Sequence, residues 1–235
     1  MIAHDADIRA WLATPDAAEH LDVARLSVED ASRWREIRTA RRRRDWASSR
    51  ALLAAVPTAC RGSRSMSHSH GYSALVLAEP AFRIGIDVEV VIPRDFLRLA
   101  EIAYSAGEAR HLAMLDPAQL AGRFYEFWTL KEAFAKALGL SLAEALTQCR
   151  CVDDAGMVVP SIPAGRPWRA TVFAPRTDLR LAVACVANSA AELRGQIHTE
   201  EWPAPARSRW PVVLDLIGDA RYCVAAPEAS PFADS

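Results

Sequence analysis

Two acidic residues in the segment RIGIDVEV, Arg83 to Val90, have the spacing of a metal-binding pair. Apolar residues alternate with them, which predicts a strand with one apolar face. Because side chains two residues apart project from the same face of a strand, Asp87 and Glu89 would point together, with Cα atoms roughly 7 Å apart. Two carboxylates placed in this way can share one hard cation such as Mg²⁺. Taken alone, the motif favours the simpler interpretation, the ordinary solvent side of a half-buried strand.

A further acid lies beside a base on a strongly apolar predicted helix, FYEFWTLKEAFAKAL, Phe124 to Leu138. Glu132 and Lys136 are four residues apart and share a face, where such a pair is usually a weak surface ion pair. On so apolar a helix they are also candidates to complete a metal and phosphate site. Only two of the 28 basic residues (Lys plus Arg) are lysines, Lys131 and Lys136. Either a general replacement of lysine by arginine left these two by coincidence, or a compact ammonium is required in this short stretch.

The segment SMSHSHGY, Ser65 to Tyr72, offers hydroxyls, imidazoles and backbone amides just before a predicted strand. Such a segment can hold phosphate through neutral donors and one titratable base. Its two histidines could also bind a transition metal, although no third nitrogen or sulfur ligand is evident. Without further context, a surface turn is the favoured interpretation.

Arginines crowd the predicted first helical region. A solvated helix face explains most of them, and a minority could reach a polyphosphate or an acidic protein partner. The residues are Arg33, Arg35, Arg38, Arg41, Arg42, Arg43, Arg44 and Arg50.

Composition excludes several classes of function. The 235 residues carry a formal net charge of −1, so no overall field attracts nucleic acid or an anionic membrane. No apolar run approaches the ~20 residues that span a bilayer, and the first residues lack the pattern of a leader peptide. Five cysteines, an odd number without CxxC spacing, indicate reduced thiols. We therefore expect a soluble cytoplasmic protein, and we interpret Cys149 and Cys151 as strand residues rather than as a metal or redox pair.

The order of the predicted elements places these residues in an α/β (α+β) fold. Apolar periodicity and end signals predict helices over 27–56, with a break near Thr39, and over 95–115 and 116–138. Residues 58–71 are predicted as a loop, and alternation predicts strands over 8–14, 72–79, 83–91, 150–153, 168–174 and 179–186. The pattern repeats, giving two units of long helices on a small antiparallel sheet with a ligand cleft between them. The predicted units are an N-terminal lobe over 1–94, a C-terminal lobe over 95–187 and a C-terminal extension over 188–235.

The motifs SMSHS, GIDVE and FWTLKEAFAK, in this order, resemble the signature of the 4′-phosphopantetheinyl transferase superfamily. The resemblance is firm from about Ser65 to Leu142. The chain length is similar to that of the two-lobed surfactin-synthetase-activating type, in which two pseudo-symmetric lobes enclose the active site. The resemblance therefore implies transfer of 4′-phosphopantetheine from coenzyme A to a serine of an apo acyl or peptidyl carrier protein, with release of 3′,5′-ADP.

The resemblance also implies roles for particular residues. Asp87, Glu89 and Glu132 would hold Mg²⁺ against the pyrophosphate of coenzyme A. Glu132, directly or through a water, would take the serine proton, and Lys136 would neutralise phosphate charge. Lys131 would bind phosphate or point outward, and it is a weaker candidate than Lys136. The residues expected to contact coenzyme A are Arg50, Arg64, Ser67, His68 and Lys136. A monomer is expected, since two lobes of one chain can complete the site.

Two features of the family pattern are missing. The Arg-x-Leu-Leu-Arg motif keeps Arg50 but has Ala54 at its second arginine, and no Gly-Lys-Pro segment precedes SMSHS. Arg50, Arg61 or Arg64 would have to replace them in holding the 3′-phosphate. A catalytically weak relative that only binds carrier protein or coenzyme A therefore remains an alternative. A Mg²⁺-dependent phosphoesterase on another fold is a third hypothesis, for which the sequence offers no separate ligand set.

Overall fold

The computed structural model describes residues 8–56, 62–152, 161–203 and 209–218. Within these ranges it contains eight strands and six α-helices. The strands are β1 (Ile8–Ala13), β2 (Ser63–Ser69), β3 (Tyr72–Ala78), β4 (Arg83–Val90), β5 (Trp168–Arg176), β6 (Leu179–Val186), β7 (Ile197–Trp202) and β8 (Val212–Gly218). The helices are α1 (Val28–Glu36), α2 (Ala40–Ala55), α3 (Phe96–Ala103), α4 (Ala106–Ala113), α5 (Pro117–Leu138) and α6 (Leu142–Gln148).

The strands form two four-stranded sheets, one in the order β2-β3-β1-β7 and the other in the order β4-β6-β5-β8. All pairings are antiparallel except that of β1 with β7, which is parallel. Helix α2 packs against the first sheet, and α5 packs across β4 and β6 of the second. The predicted α+β class, with helices on two small and largely antiparallel sheets, is confirmed.

The hairpin of β2 and β3 brings the predicted phosphate segment to the edge of the first sheet. Its two turn residues, His70 (φ 51°) and Gly71 (φ 88°), both have positive φ, as a tight hairpin turn requires. The buried Asp45 carboxylate of α2 accepts a hydrogen bond from the Gly71 amide. The turn is therefore fixed to α2 as well as to the sheet.

Helix α5 begins and ends where its sequence signals predict. The Asp116 side chain accepts a hydrogen bond from the Ala118 amide, and Pro117 is the first helical residue. Gly139 follows the last turn with φ 72°, a conformation that favours glycine. Half of its residues are buried against the second sheet and the helices around it. This 22-residue helix carries Glu132 and Lys136, both of which are partly exposed.

The two sheets meet where β2 lies against β4. Three alternate serines of β2 donate or accept hydrogen bonds across this contact. Ser65 Oγ accepts from the Ile86 amide at 3.2 Å, whereas the hydroxyls of Ser67 and Ser69 donate to the side chains of Asp87 and Glu89. The period of two that predicts strands in the sequence therefore also sets this contact between sheets.

Several sequence predictions require correction. The loop predicted over 58–71 is wrong for residues 63–69, which form β2, because serine side chains satisfied by a neighbouring strand suit an edge strand as well as a loop. The strand predicted over 150–153 reduces, in the described residues, to one bridge between Arg150 and Ser161, and Asp153 lies outside them. Cys149 and Cys151 are consequently not strand residues, although both are buried free thiols.

The sheets are distributed along the chain differently from the predicted units. Strand β4 pairs with β6 in the second sheet rather than with the preceding β3. Strands β7 and β8, both in the predicted extension, complete the first and the second sheet respectively. The lobe boundaries at residues 94 and 187 stay predictions. None of the helices in the described ranges combines the length and the hydrophobicity of a membrane-spanning segment.

Candidate active site

The candidate site is built on the close approach of β4 to α5. A Cβ atom added to Gly85 would lie 1.9 Å from the Ala133 carbonyl oxygen and 2.8 Å from the Ala137 amide nitrogen. Only glycine permits the two backbones to come this close. The approach brings Asp87 and Glu89, which follow on β4, near Glu132 and Lys136 of α5. Sequence reasoning assigned Gly85 no role, and its signal is the glycine within an apolar strand pattern.

Asp87 is the most deeply buried acid of the site, with 4% of its surface exposed. Its Oδ1 accepts hydrogen bonds from Ser67 Oγ at 2.7 Å and from Lys136 Nζ at 2.9 Å. Its Oδ2 is buried and has no hydrogen-bond partner. Burial raises the pKa of Asp87, and the Lys136 ammonium partly offsets that rise.

Glu89 lies at the edge of the same contact, on the side of β4 that faces β2. Its Oε2 accepts a hydrogen bond from Ser69 Oγ at 2.6 Å, and Ser69 Oγ also lies 3.0 Å from His70 Nδ1. Burial raises the pKa of Glu89 to about 7, opposed by the Ser69 hydrogen bond and reinforced by the charges of Asp87 and Glu132. Ser69 was not singled out in the sequence, and its signal is the continued alternation of serine at 65, 67 and 69.

Glu132 is half-buried on α5. Burial raises its pKa, the charge of Asp87 raises it further and Lys136 lowers it. Each of the three acids is thus close enough to another to affect its ionisation. When all three carboxylates are ionised, they exceed the Lys136 ammonium by two charges, which is the charge of one divalent cation.

The donor set suits a hard cation, although it is not gathered into a finished coordination site. Across the described ranges, no three His, Cys, Asp or Glu side chains are arranged so that they could hold a metal ion. The buried, unpartnered Asp87 Oδ2 is nevertheless an oxygen acceptor of the kind that Mg²⁺ binds. Mutual repulsion among the acids would also be relieved by a divalent cation.

Lys136 links α5 to Asp87 and to the backbone of β4. Its Nζ donates to Asp87 Oδ1 and, at 2.8 Å, to the Ile86 carbonyl oxygen. The side chain is 29% exposed, so the ammonium also faces solvent. It can therefore meet a second anion while it remains bound to Asp87.

A basic cleft of about 510 Å³ adjoins the site on the side of β2 and α2. The exposed His68 imidazole lines it together with Trp46 of α2. Three arginines of the predicted basic run also line it, Arg33, Arg38 and Arg42. Glu36 and Asp45 line the cleft as well, so the three arginines leave an excess of one positive charge, which suits the cleft to an anionic group.

The remaining predicted residues have other surroundings. Arg50 forms an ion pair with Asp30 at 3.0 Å, and its guanidinium lies over the Trp46 ring. Arg64 is exposed on β2, and Arg61 lies outside the described residues. The suggestion that Lys131 binds phosphate or points outward is wrong, since its side chain is fully buried and paired with Glu108.

Residues 83–184 match the sequence model of the 4′-phosphopantetheinyl transferase superfamily. The matched part begins at the first residue of β4 and ends within β6, so it includes both sides of the β4–α5 contact and omits β2.

Named relatives resemble about a third of the chain. A Synechocystis sp. protein named "Putative 4'-phosphopantetheinyl transferase slr0495" is 32% identical over 85 residues, 36% of this chain and 34% of that protein. The 4′-phosphopantetheinyl transferase AcpT of Salmonella typhimurium is 38% identical over 76 residues, 32% of this chain and 39% of that protein. The Escherichia coli AcpT is 37% identical over 76 residues, with coverage of 32% and 38%. The chain thus spans little more than a third of the length of these relatives.

Proposed function

We propose that this chain, which carries a 4′-phosphopantetheinyl transferase superfamily domain over residues 83–184, is a 4′-phosphopantetheinyl transferase. The superfamily predicted from the motifs is confirmed for that domain. The proposed reaction moves the 4′-phosphopantetheine arm of coenzyme A to a serine of an apo acyl or peptidyl carrier protein. The observation that supports it most is the meeting of Asp87, Glu89, Glu132 and Lys136 at the β4–α5 contact.

In the proposed reaction, the carrier serine oxygen attacks the β-phosphorus of coenzyme A. A bond forms between that oxygen and phosphorus, the bond from phosphorus to the bridging oxygen of the pyrophosphate breaks, and 3′,5′-ADP leaves. Glu132 receives the serine proton, directly or through a water. Its raised pKa lies closer to neutrality than that of an ordinary glutamate, which favours its action as a general base.

Asp87, Glu89 and Glu132 would hold Mg²⁺, with Asp87 Oδ2 as the acceptor already free of hydrogen bonds. The ion supplies positive charge at the developing phosphate charge when it is bound. Lys136 is placed to add an ammonium beside the same phosphates while Ile86 and Asp87 fix its position. Phosphoryl transfer asks the protein mainly for alignment and charge stabilisation, which these groups are suited to give.

The basic cleft is the proposed site for the phosphates at the nucleotide end of coenzyme A. His68 lines it, and Arg33, Arg38 and Arg42 supply its cationic groups. These arginines, rather than Arg50, which Asp30 engages, would take over the task of the missing Gly-Lys-Pro segment. Arg64 and Ser67 remain proposed contacts at the edge of β2.

The test combines the chain with coenzyme A, Mg²⁺ and a panel of apo carrier proteins. Mass spectrometry should show a carrier heavier by one 4′-phosphopantetheine, together with release of 3′,5′-ADP. The matched control is Glu132→Gln, which keeps the size of the side chain and removes its ability to accept the proton. A folded wild-type chain that modifies no carrier of the panel, although it binds coenzyme A, would support the binding-only alternative.

A further inference from the structure

Lys131 is fully buried, and its ammonium contacts two hydrogen-bond acceptors and one aromatic ring. Its Nζ donates to Glu108 Oε2 at 3.0 Å and to the Leu146 carbonyl oxygen at 3.1 Å. It also lies 5.2 Å from the centroid of the Tyr104 ring, on the electron-rich face of that ring. Both partners of the Lys131–Glu108 ion pair have 0% side-chain exposure.

Glu108 extends this network beyond α5. Its Oε2 also accepts from the Ser105 amide, as part of the capping box that begins α4, and its Oε1 accepts from the Cys151 amide at 2.7 Å. A capping-box acid usually lies at the surface, whereas this one is buried. The start of α4, the middle of α5, the end of α6 and the segment after α6 are therefore joined at one lysine.

The neighbours of Lys131 in the sequence point to different surroundings. Successive residues of an α-helix are about 100° apart around its axis. Lys131 is directed to α4 and α6, Glu132 lies near the acids of β4, and the Ala133 carbonyl lies against Gly85. The Lys-Glu-Ala triplet thus touches three different parts of the molecule within a single turn.

We propose that Lys131 is a positioning residue, whose buried pair with Glu108 fixes the rotation of α5 about its own axis and so the placement of Glu132 and Lys136 against Asp87. A rotation of about 20° moves a group about 6 Å from the helix axis by about 2 Å. That displacement is enough to separate Lys136 Nζ from Asp87 Oδ1, now 2.9 Å apart. The catalytic consequence rests on the proposed transferase function, whereas the structural one does not.

The polar pair is suited to this task because it is directional. Apolar contacts of α5 can be satisfied over a range of rotations. The hydrogen bonds from one ammonium to two fixed oxygens can be formed at only one of them. Replacement of a buried ion pair by neutral side chains can leave a protein as stable as before, so the specificity of placement is separable from stability. The experiment depends on that separation.

The first measurement needs no enzymatic activity. The double variant Lys131→Met, Glu108→Gln removes both buried charges and keeps an oxygen acceptor for the Cys151 amide. In the wild-type and double-variant backgrounds, a double-mutant cycle with Asp87→Asn and Lys136→Met in urea unfolding measures the coupling between Asp87 and Lys136. The expected result is a coupling present in the wild type and lost in the double variant.

The second measurement is the transfer rate with coenzyme A and a carrier that the wild type modifies. The double variant should lose about tenfold or more in kcat, while KM for coenzyme A changes by less than about twofold, since the basic cleft is untouched. The control is Leu112→Ala, which loosens the packing of the fully buried Leu112 on α4 and leaves the ion pair in place. It should retain the coupling and most of the rate.

Two results would overturn the inference. One is a double variant that keeps the Asp87–Lys136 coupling, and the other is an equal loss of coupling in Leu112→Ala. If the double variant does not fold, Lys131→Met alone provides the same comparison, because Glu108 keeps its hydrogen bonds from the Ser105 and Cys151 amides. A loss of the coupling is again expected. A wild-type chain inactive toward every carrier would contradict the proposed function, and the coupling measurement would still decide the role of Lys131.

Discussion

Gly85 offers the most direct test of how the candidate site is assembled. The variant Gly85→Ala adds a single methyl group where β4 crosses α5. That methyl would lie 1.9 Å from the Ala133 carbonyl oxygen and 2.8 Å from the Ala137 amide nitrogen. Both of these atoms belong to the helix backbone, so no side-chain rotation can make room.

The size of the effect follows from the distances. Cβ atoms in proteins essentially never come within 3.0 Å of another heavy atom, so the strand and the helix must move apart by at least about 1.1 Å. Overpacking of this kind costs about 1–3 kcal/mol of the free energy of unfolding. The same movement stretches the 2.9 Å contact of Lys136 with Asp87 toward 4 Å, and a misplacement of about 1 Å in an active site can cost about 10²-fold in rate.

The assay pairs urea unfolding with the transfer of 4′-phosphopantetheine at saturating coenzyme A. The control is Gly165→Ala, where an added Cβ meets nothing within 4 Å and only the positive φ of 61° is strained. We expect both variants to lose stability but only Gly85→Ala to lose about 10²-fold in kcat. Normal stability and rate in Gly85→Ala would refute the close approach of β4 and α5 as the basis of the site.

Further predictions concern the charges of the site. Asp87→Asn should abolish transfer. The far-ultraviolet circular dichroism spectrum should stay unchanged, because Ser67 and Lys136 can still contact the amide oxygen. A transfer rate within about tenfold of the wild type would contradict a metal-binding role for Asp87. Lys136→Arg should lower kcat by at least about tenfold, since a planar guanidinium cannot reproduce the two contacts of one ammonium. A wild-type rate in this variant would show that the site does not require an ammonium. Chelation should stop transfer and Mg²⁺ or Mn²⁺ should restore it, whereas transfer that survives chelation would exclude the metal from the reaction. Burial, together with the charges of Asp87 and Glu132, raises the pKa of Glu89 from 4.5 to about 7. Between pH 4.5 and about pH 7 the folded state therefore binds a proton that the unfolded state has lost. The free energy of unfolding should fall as the pH rises through this range. Mg²⁺ should therefore raise the melting temperature more at about pH 8 than at about pH 5, and an equal rise at both would show that it does not bind these carboxylates.

The sequence predicts the local placement of the candidate site residues better than the assembly of the sheets. The alternation of RIGIDVEV predicts Asp87 and Glu89 on one face of a strand, and both accept hydrogen bonds from the same neighbouring strand. The bounds of α5 follow from local signals, a capping acid before Pro117 and a glycine after the last turn. Each of these features depends on residues only a few positions apart, which periodicity and capping rules describe well.

The pairing of β4 could not be predicted from the same rules. A short turn separates β3 from β4, and hairpin pairing of neighbours is the usual expectation. The structure instead pairs β4 with β6, about 90 residues later in the chain, and leaves β2 and β3 to face β4 through side chains. What decides the pairing is the burial of β4 and β6 under α5, a contact between distant segments that local pattern does not record. Strand β2 was missed for a related reason, because its polar residues are satisfied by β4 rather than by water.

The placement of β4 makes the serine-rich segment of β2 and the acidic segment of β4 depend on each other. The acids of β4 belong to the second sheet, whereas the serines that hold them, Ser67 and Ser69, belong to the first. Neither sheet alone therefore fixes the Asp87 and Glu89 carboxylates. His68 lies between those serines in the sequence, so its side chain is on the opposite face of β2, where it lines the basic cleft. Because one face of β2 orients the acids and the other lines the cleft, a shift of β2 by one residue would exchange both sets at once. The alternation of serine and histidine is thus a register constraint that ties the proposed site of coenzyme A phosphates to the proposed site of Mg²⁺.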